Sequence, residues 1–302
     1  MLERFVRAKK REINRLRQLE NVGLAPEPFT GERPSFVSAL AATGTAPVRV
    51  IAEYKRASPS RGDIALGLAP EDVAAEYVAN GADCLSVLTE ELFFKGNIRF
   101  LSRMANVGLP LLRKDFIMDP LQVQATAATP ASAMLLIVRL TPDVKLLRDL
   151  REQAESFGIE AVVEVLDDAD MRLARESGAK IVQVNARDLD TLQVDRRACL
   201  RMAERFHTAD DGEVWIAASG IDQPAHLQEA ADAGYQAVLV GTALMRDGRP
   251  GQALATLLQR EVVTVANPGA TPAPAAGITG SGIGPACTRG CHPFGRAFGK
   301  IA

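Results

Sequence analysis

Short apolar runs rich in β-branched residues alternate along the chain with longer stretches in which apolar residues recur at helical spacing. Runs that are apolar at nearly every position are typical of strands buried on both faces of a parallel sheet. Eight such runs occupy residues 48–55, 83–90, 109–116, 132–139, 160–166, 180–187, 213–221 and 236–244. Alternating strand–helix units in this number predict an α/β fold, the (β/α)8 TIM barrel.

A doubly wound open sheet is the competing fold for the same alternation of elements. That fold usually carries a glycine-rich dinucleotide-binding turn after its first strand. Here the first predicted strand is followed by KRASPSRG at residues 55–62, which lacks that glycine pattern. We therefore prefer the closed barrel.

Two segments lie outside the predicted barrel domain, which we place at residues 48–265. We predict that residues 1–47 form an N-terminal helical extension. The segment begins with the pattern of a charged amphipathic helix and continues into a Pro- and Gly-rich connector. Residues 266–302 are rich in Gly, Pro and Ala and contain few large apolar side chains. Such a composition buries too little area to offset the cost of ordering the chain, so we expect this tail to be disordered.

Composition and charge narrow the class of protein. The chain is 47% hydrophobic and 24% charged, as is ordinary for a globular enzyme, and its net charge of -2 argues against a nucleic-acid binder. No apolar run approaches the ~20 residues that cross a bilayer. The first residues also lack the apolar core of a signal peptide. We expect a cytoplasmic protein that binds neither nucleic acid nor membrane.

The four cysteines do not predict a disulfide framework in a chain of this length. Cys287, Cys291 and His292 in the tail have the spacing of half a metal site, but no second ligand pair accompanies them. We interpret them as free side chains and predict no metal site.

Polar side chains follow the apolar runs where the strands end, and in a (β/α)8 barrel that edge carries the active site. Glu53 and Lys55 share a face of the first strand, and we place them in the barrel mouth because burial among the helices would be costly. One charged residue at a strand end commonly marks only the chain emerging into water. Five strands share the pattern, however, the others ending in Lys114, Glu164, Asn185 with Arg187, and Ser219. Two lysines beside two carboxylates can donate and accept protons.

Small residues at the ends of the last two strands indicate a phosphate site. Gly220 lies near the end of the seventh run, and Gly241 with Thr242 lies near the end of the eighth. Loops at these two positions, each leading into a helix, are the usual phosphate site of the fold, although each glycine alone is explained by a tight turn. The apolar side chains Phe94, Phe116, Leu135 and Ile137 near the mouth are candidates to hold a flat hydrophobic group, or simply pack the core.

Several motifs resemble the indole-3-glycerol phosphate synthase family in order and spacing over roughly residues 2–260. They are IAEYKRASPSRG (51–62), PLLRKDFIMDPLQ (110–122), VVEVLDDAD (162–170), VNARDLDTLQVD (184–195) and LVGTALM (239–245). The resemblance implies a metal-free and cofactor-free barrel with an extra N-terminal helical segment. It also implies a lyase of tryptophan biosynthesis, which closes the ring of 1-(2-carboxyphenylamino)-1-deoxyribulose 5-phosphate with loss of CO2 and water.

The same resemblance implies roles for the candidate residues. Lys114 resembles the general acid that protonates the carbonyl oxygen, Glu164 the base for dehydration, and Glu53 a group that orients Lys114 and binds substrate hydroxyls. Lys55 would pair with a substrate carboxylate or phosphate. The remaining implied substrate contacts are Ser58, Asn185 and Ser219, then Gly220, Gly241 and Thr242 at the phosphate with Arg187 assisting, and Phe94, Phe116 and Leu135 around the anthranilate ring.

The chain departs from the family pattern at strand 7, where Ala218 stands in place of a glutamate. The alternative function is therefore a catalytically impaired barrel that serves as a binding or partner subunit, docked on other tryptophan-pathway enzymes. A third hypothesis, phosphoribosylanthranilate isomerase, requires a cysteine base. Cys84 at the start of strand 2 and Cys199 in a predicted helix do not match that position.

Overall fold

The computed structural model describes residues 1–41, 44, 46–188, 190–207 and 212–265. Within these residues eight parallel strands close a barrel, in which each strand pairs with the next along the chain and the last pairs with the first. The strands are β1 Arg49–Tyr54, β2 Cys84–Leu88, β3 Leu111–Ile117, β4 Ala133–Ile137, β5 Glu160–Val165, β6 Ile181–Asn185, β7 Val214–Ala218 and β8 Ala237–Val240. Each overlaps one of the predicted apolar runs, so the prediction of a (β/α)8 barrel is confirmed.

Helices surround the barrel and precede it. They are α1 Leu2–Asn21, α2 Phe36–Ala41, α3 Pro70–Ala79, α4 Arg99–Met104, α5 Pro120–Ala127, α6 Val144–Ser156, α7 Asp168–Glu176, α8 Arg197–Phe206, α9 Pro224–Asp232, α10 Thr242–Met245 and α11 Pro250–Leu257. Short 3-10 turns lie at Ala105–Val107 and Val138–Leu140. None of the helices in the described part of the chain is long and apolar enough to span a membrane. The expectations for residues 266–302, with Cys287, Cys291 and His292, fall outside the described residues.

Aspartate caps start several helices directly after a strand, which fixes the strand–helix turns around the mouth. The side chain of Asp119 accepts a hydrogen bond from the Leu121 backbone N–H at the start of α5, where Pro120 supplies a preset φ. Asp143 and Asp167 cap α6 and α7 in the same way. These turns keep the strand ends short, so that side chains at the ends of the strands meet over the barrel axis.

The period of two along each strand separates the core into two layers. On β6, Val182 and Val184 pack outward against the helices, whereas Ile181 faces the barrel interior together with Ile51, Leu112, Leu135 and Ile216. At the opposite end from the site, the buried Phe36 and Leu40 of α2 join this inner layer. The interior is therefore filled by side chains, and the cavity described below lies at the carboxyl ends of the strands.

Helix α1 docks on β3 through a buried charged cluster. Its buried face consists of Phe5, Lys9, Ile13 and Leu16. Lys9 Nζ lies 2.6 Å from Oδ1 of Asp115. The other carboxylate oxygen of Asp115, Oδ2, lies 2.9 Å from Arg113 Nη2. Burial alone raises the pKa of Asp115, but the charges of Lys9 and Arg113 outweigh it and hold the pKa below its usual value. The N-terminal extension is thereby attached at the residue next to Lys114.

Candidate active site

The carboxyl ends of the strands enclose a cavity of about 300 Å³, the size of a small-ligand site. All of the site residues singled out from the sequence line it. They are Glu53, Lys55, Ser58, Phe94, Lys114, Phe116, Leu135, Glu164, Asn185, Arg187, Ser219, Gly220, Gly241 and Thr242. The structure thus brings together residues that are up to 189 positions apart because the barrel gathers every strand end at one face.

Glu164 lies at the centre of a hydrogen-bonded group at the floor of the cavity. Lys114 Nζ, from the middle of β3, donates to the Oε2 atom of Glu164 at 3.2 Å. The Gln183 amide donates to the same oxygen at 2.5 Å, and the Asn185 amide donates to Oε1 at 3.1 Å. A carboxylate that accepts three hydrogen bonds, one from an ammonium group, is held in one orientation with a proton donor beside it.

Glu53 and Lys55 form a second ion pair, between Oε1 and Nζ at 2.6 Å. The other carboxylate oxygen of Glu53 accepts a hydrogen bond from the Ser86 hydroxyl at 3.3 Å. The resemblance implied that Glu53 orients Lys114, but the carboxylate that contacts Lys114 in this structure is Glu164. The Lys55 side chain is 17% exposed and the Glu53 side chain only 3%, so Lys55 is the more accessible member of this pair.

Asn185 and Ser219 link the ends of β6 and β7. The Ser219 hydroxyl donates to Asn185 Oδ1 at 2.9 Å, and the Arg187 backbone N–H donates to the same oxygen at 3.0 Å. Ser219 has a φ of 73°, a left-handed conformation that non-glycine residues seldom adopt. This turn aims the Ser219 side chain back at Asn185, which places the two residues over the floor of the cavity.

Aromatic side chains form one wall of the cavity. Phe116 stacks on Phe5 of α1, with ring centroids 4.1 Å apart and planes 14° from parallel. The ring centroid of Phe94 lies 6.1 Å from that of Phe116. Leu135 and Ile137 extend this apolar surface of the cavity. This wall suits the faces of a flat hydrophobic group.

Glycine backbone and cationic side chains form the opposite wall. Gly220 has a φ of 78°, which favours glycine, and α10 begins at Thr242 directly after Gly241. The guanidinium-bearing side chains Arg61, Arg187 and Arg246 also line the cavity. Free backbone N–H groups and positive charge are what an anionic group such as phosphate prefers.

The loop after β1 covers part of the mouth. Two short antiparallel strands, Ala57–Ser58 and Gly62–Asp63, form a small hairpin there. Ser58, in the first of these strands, is buried, and its hydroxyl oxygen lies 3.4 Å from that of Ser60. The hairpin explains why KRASPSRG breaks the first strand: it places Ser58 and Arg61 at the edge of the cavity.

Sequence reasoning missed several residues of the cavity, among them Phe5, Arg61, Gln183 and Arg246. A signal for Gln183 was available, since it lies two positions before Asn185 on an apolar strand and therefore shares its face. No local pattern reveals Phe5, because its position depends on where α1 docks. The two arginines lie on loops whose path over the mouth is set by tertiary structure.

The two cysteines in the described residues lie outside the cavity. Cys84 is buried at the start of β2, and burial raises the pKa of Cys199 in α8 to about 11. Neither Cys84 nor Cys199 lines the cavity, so neither is placed as the cysteine base that an isomerase mechanism requires. Within the described ranges, no three His, Cys, Asp or Glu side chains cluster closely enough to hold a metal ion.

Comparisons with known proteins agree with this geometry. The family model described as indole-3-glycerol phosphate synthase matches residues 2–257. The indole-3-glycerol phosphate synthase of Mycolicibacterium gilvum is 40% identical over 239 residues, covering 78% of this chain and 86% of that protein. The protein of the same name from Desulfotalea psychrophila is 36% identical over 263 residues, covering 85% of this chain and 98% of its own.

Solved structures extend the likeness of fold beyond close relatives. The 3-hexulose-6-phosphate synthase from Salmonella typhimurium superposes with a TM-score of 0.53 at 16% identity, over 70% of this chain and 99% of that chain. At that level of identity the likeness concerns the barrel alone. The family match, by contrast, spans the extension and the whole barrel, including every strand end described above. The chain therefore belongs to the indole-3-glycerol phosphate synthase family.

Proposed function

We propose that the cavity catalyses the reaction of the family, the ring closure of 1-(2-carboxyphenylamino)-1-deoxyribulose 5-phosphate to indole-3-glycerol phosphate, CO2 and water. The observation that carries the proposal is the contact of Lys114 with Glu164, 3.2 Å apart, at the floor of a cavity with one aromatic and one cationic wall. An acid and a base in contact, between sites for a flat ring and for an anion, match the three parts of this substrate.

The first chemical step forms a carbon–carbon bond. The ring carbon that bears the carboxylate attacks the ribulose carbonyl carbon, and Lys114 donates a proton to the carbonyl oxygen as it becomes a hydroxyl. The carboxylate then leaves as CO2, and its electron pair restores the aromatic ring. This half of the reaction consumes one proton, which Lys114 regains from solvent.

The second step is dehydration. The new hydroxyl leaves as water, and the adjacent CH2 carbon loses a proton to complete the indole double bond. We assign the acceptor of that proton to Glu164, which is fixed by Gln183 and Asn185. The proton taken from carbon can then protonate the departing hydroxyl, so the dehydration step neither consumes nor releases a proton overall.

Substrate binding is assigned to the walls of the cavity. Phe94, Phe116 and Leu135 would hold the anthranilate ring, and Gly220, Gly241 and Thr242 the phosphate, with Arg187 assisting. Lys55, Ser58, Asn185 and Ser219 would contact the polar middle of the substrate, with Glu53 acting through Lys55. No cofactor is required for this chemistry.

We further propose that the functional unit spans the extension and the barrel, residues 1–265, and acts in the cytoplasm on this small phosphorylated substrate. Docking on other tryptophan-pathway enzymes is a separate proposal. Crosslinking at cellular concentration followed by purification of the chain tests this docking. If no tryptophan-pathway enzyme copurifies with the crosslinked chain, the docking proposal is contradicted.

The decisive experiment is turnover of the synthetic substrate by the purified chain, followed by the indole fluorescence of the product. We expect product formation by the wild type and its loss in a folded Lys114→Met variant, since a general acid contributes ~10²–10⁴-fold. Turnover unaffected by Lys114→Met would contradict the assigned acid. A wild type that binds the substrate without turnover would instead favour the alternative of a non-catalytic binding subunit.

A further inference from the structure

Gln183 is a buried amide at the floor of the cavity to which the reaction above assigns no chemical step. It lies in the middle of β6, is 0% exposed and lines the cavity. Its register partner on β5 is Glu164, and its partner on β7 is the apolar Ile216. Register partners on parallel strands lie side by side, so Gln183 and Glu164 are neighbours on the inner face of the barrel.

The orientation of the Gln183 amide follows from its neighbour. Its nitrogen donates to Glu164 Oε2 at 2.5 Å. The opposite orientation would set the amide oxygen against a carboxylate oxygen, and two acceptors facing each other repel. The nitrogen therefore faces Glu164, and Oε1 points away from it.

The Gln183 Oε1 atom is buried and has no hydrogen-bond partner among the residues that the structure describes. The other buried polar side-chain atoms without a partner in the described residues belong to Arg33, Arg56 and Ser132, none of which lines the cavity. The nearby amide of Asn185 is occupied, because its oxygen accepts from Ser219 and from the Arg187 backbone. Among these amides, Gln183 thus presents the acceptor that remains available.

We propose that Gln183 is a positioning and specificity residue: its nitrogen fixes the Glu164 carboxylate, and its oxygen accepts a hydrogen bond from the ribulose segment of the bound substrate. The proposal rests on the proposed function for the identity of the substrate. An unpaired buried acceptor favours a ligand that brings a donor to it and disfavours one that does not. The central N–H and hydroxyl groups of the substrate are hydrogen-bond donors, and the proton transfer assigned to Glu164 brings this segment beside Gln183.

The first test compares Gln183→Met with wild type. Methionine keeps the length of the side chain but removes donor and acceptor. We expect kcat to fall by about 10²-fold, because a misplaced catalytic group commonly costs that much. We also expect about tenfold weaker binding, by calorimetry, of a reduced substrate analogue in which the carbonyl is an alcohol, as for loss of one hydrogen bond. Gln228→Met, the same replacement on the exposed face of α9, is the matched control and should change neither value.

A second variant, Gln183→Glu, separates positioning from packing. When protonated, this side chain donates to Glu164 and presents the same acceptor oxygen as glutamine; when ionised, it repels Glu164. The titratable groups facing this position are Glu164 on β5 and, through it, Lys114 on β3, whereas β7 contributes the apolar Ile216. We expect the kcat of Gln183→Glu, relative to wild type, to recover as pH falls. A purely structural role predicts no such recovery.

The proposal would be overturned if Gln183→Met kept the wild-type kcat and analogue affinity, and if the kcat of Gln183→Glu relative to wild type did not change with pH. The proposed function would then remain intact. If Gln183→Met fails to fold, the pH dependence of Gln183→Glu decides alone. A wild-type chain that neither turns over the substrate nor binds the analogue would overturn both the proposed function and the role of Gln183.

Discussion

Gly241 is a cavity residue at which an added side chain would meet close neighbours. A Cβ atom placed there would lie 2.2 Å from Glu53 Oε1 and 3.1 Å from Lys55 Nζ. Its φ of -122° is open to any residue, so the constraint is the close approach of the ion pair and not backbone strain. The absence of a side chain at Gly241, directly after β8, thus leaves the space that the Glu53 and Lys55 side chains occupy.

We therefore expect Gly241→Ala to displace the Glu53–Lys55 pair and lower kcat/KM by about 10²-fold, as for an ångström-scale misplacement. Steady-state kinetics and thermal unfolding of the variant check this. Gly67→Ala is the matched control, since a Cβ atom at Gly67 meets nothing within 4 Å. Equal kinetics for the two variants would mean that the Glu53–Lys55 geometry is unimportant for turnover.

Ala218 is the second informative residue of the mouth. It is buried, lines the cavity and is the register partner of Asn185. The family pattern noted above places a carboxylate here, and a positioned acid–base group is commonly worth ~10²–10⁴-fold. Ala218→Glu is expected to raise kcat/KM by about tenfold or more, measured across pH, with the fold retained. A neutral or harmful effect would mean that this cavity has reorganised around the smaller residue.

The sequence was enough to predict which polar side chains line the cavity, but not how they pair. The period of two along a strand and the position of active sites in barrels were enough to select Glu53, Lys114 and Glu164. Which carboxylate meets Lys114 depends on the stagger between strands, which no single strand encodes. The structure pairs Lys114 with Glu164, two strands away along the barrel.

At the scale of elements, α1 and β3 are joined by the buried cluster around Asp115. We expect Lys9→Met to destabilise the fold by about 3 kcal/mol, the lower end of the cost of removing one partner from a buried ion pair. Denaturant unfolding measures this, and Lys10→Met, exposed on the same helix, is the control. Loss of activity is also expected, because Asp115 is the neighbour of Lys114 on β3. Equal stability of the two variants would contradict the role given to this cluster.

The pH dependence of stability gives an independent check of the same cluster. The pKa of Asp115 is lowered in the folded state, against burial, by Lys9 and Arg113. A lowered folded-state pKa contributes stability above the unfolded value of ~3.9, and that contribution is lost as pH falls further. The stability difference between wild type and Lys9→Met should therefore shrink below about pH 4. A difference that stays constant there would place the effect in packing instead of charge.

The strands and the long amphipathic helix were predictable because each has its own periodicity. The docking of α1 was not, since an amphipathic face shows only that a helix is covered, not by what. Lys9 illustrates the difficulty: a lysine on the apolar face of α1 is buried because Asp115, about a hundred residues later, neutralises it.

At the scale of the whole molecule, the described fold continues past the last helix to residue 265. The Asn80 side chain donates to the Val263 carbonyl oxygen at 3.0 Å and accepts from its N–H at 2.9 Å. The family match ends at residue 257. The chain after α11 is therefore attached to Asn80, the residue that follows α3, by a reciprocal pair of hydrogen bonds.

Two truncations separate this attachment from the residues beyond it. Deletion of residues 266–302 is expected to leave kcat/KM and the melting temperature unchanged, because the composition of that segment offers little apolar area for packing. Deletion of residues 261–302 removes the partner of the buried Asn80 and should cost about 1–3 kcal/mol in unfolding free energy. Calorimetry of both proteins checks this, and a loss of stability in the shorter deletion would show that the tail packs on the fold.

Phe5 belongs to a helix outside the barrel, yet it forms part of the aromatic wall. A ring bound against Phe116 and Phe5 contacts β3 and α1 together, so ligand binding and docking of α1 are thermodynamically linked. The ligand prefers the chain with α1 docked, and the docked helix gains the same free energy in return. We therefore expect the backbone amides of α1 to exchange with solvent more slowly once a ring is bound in the cavity.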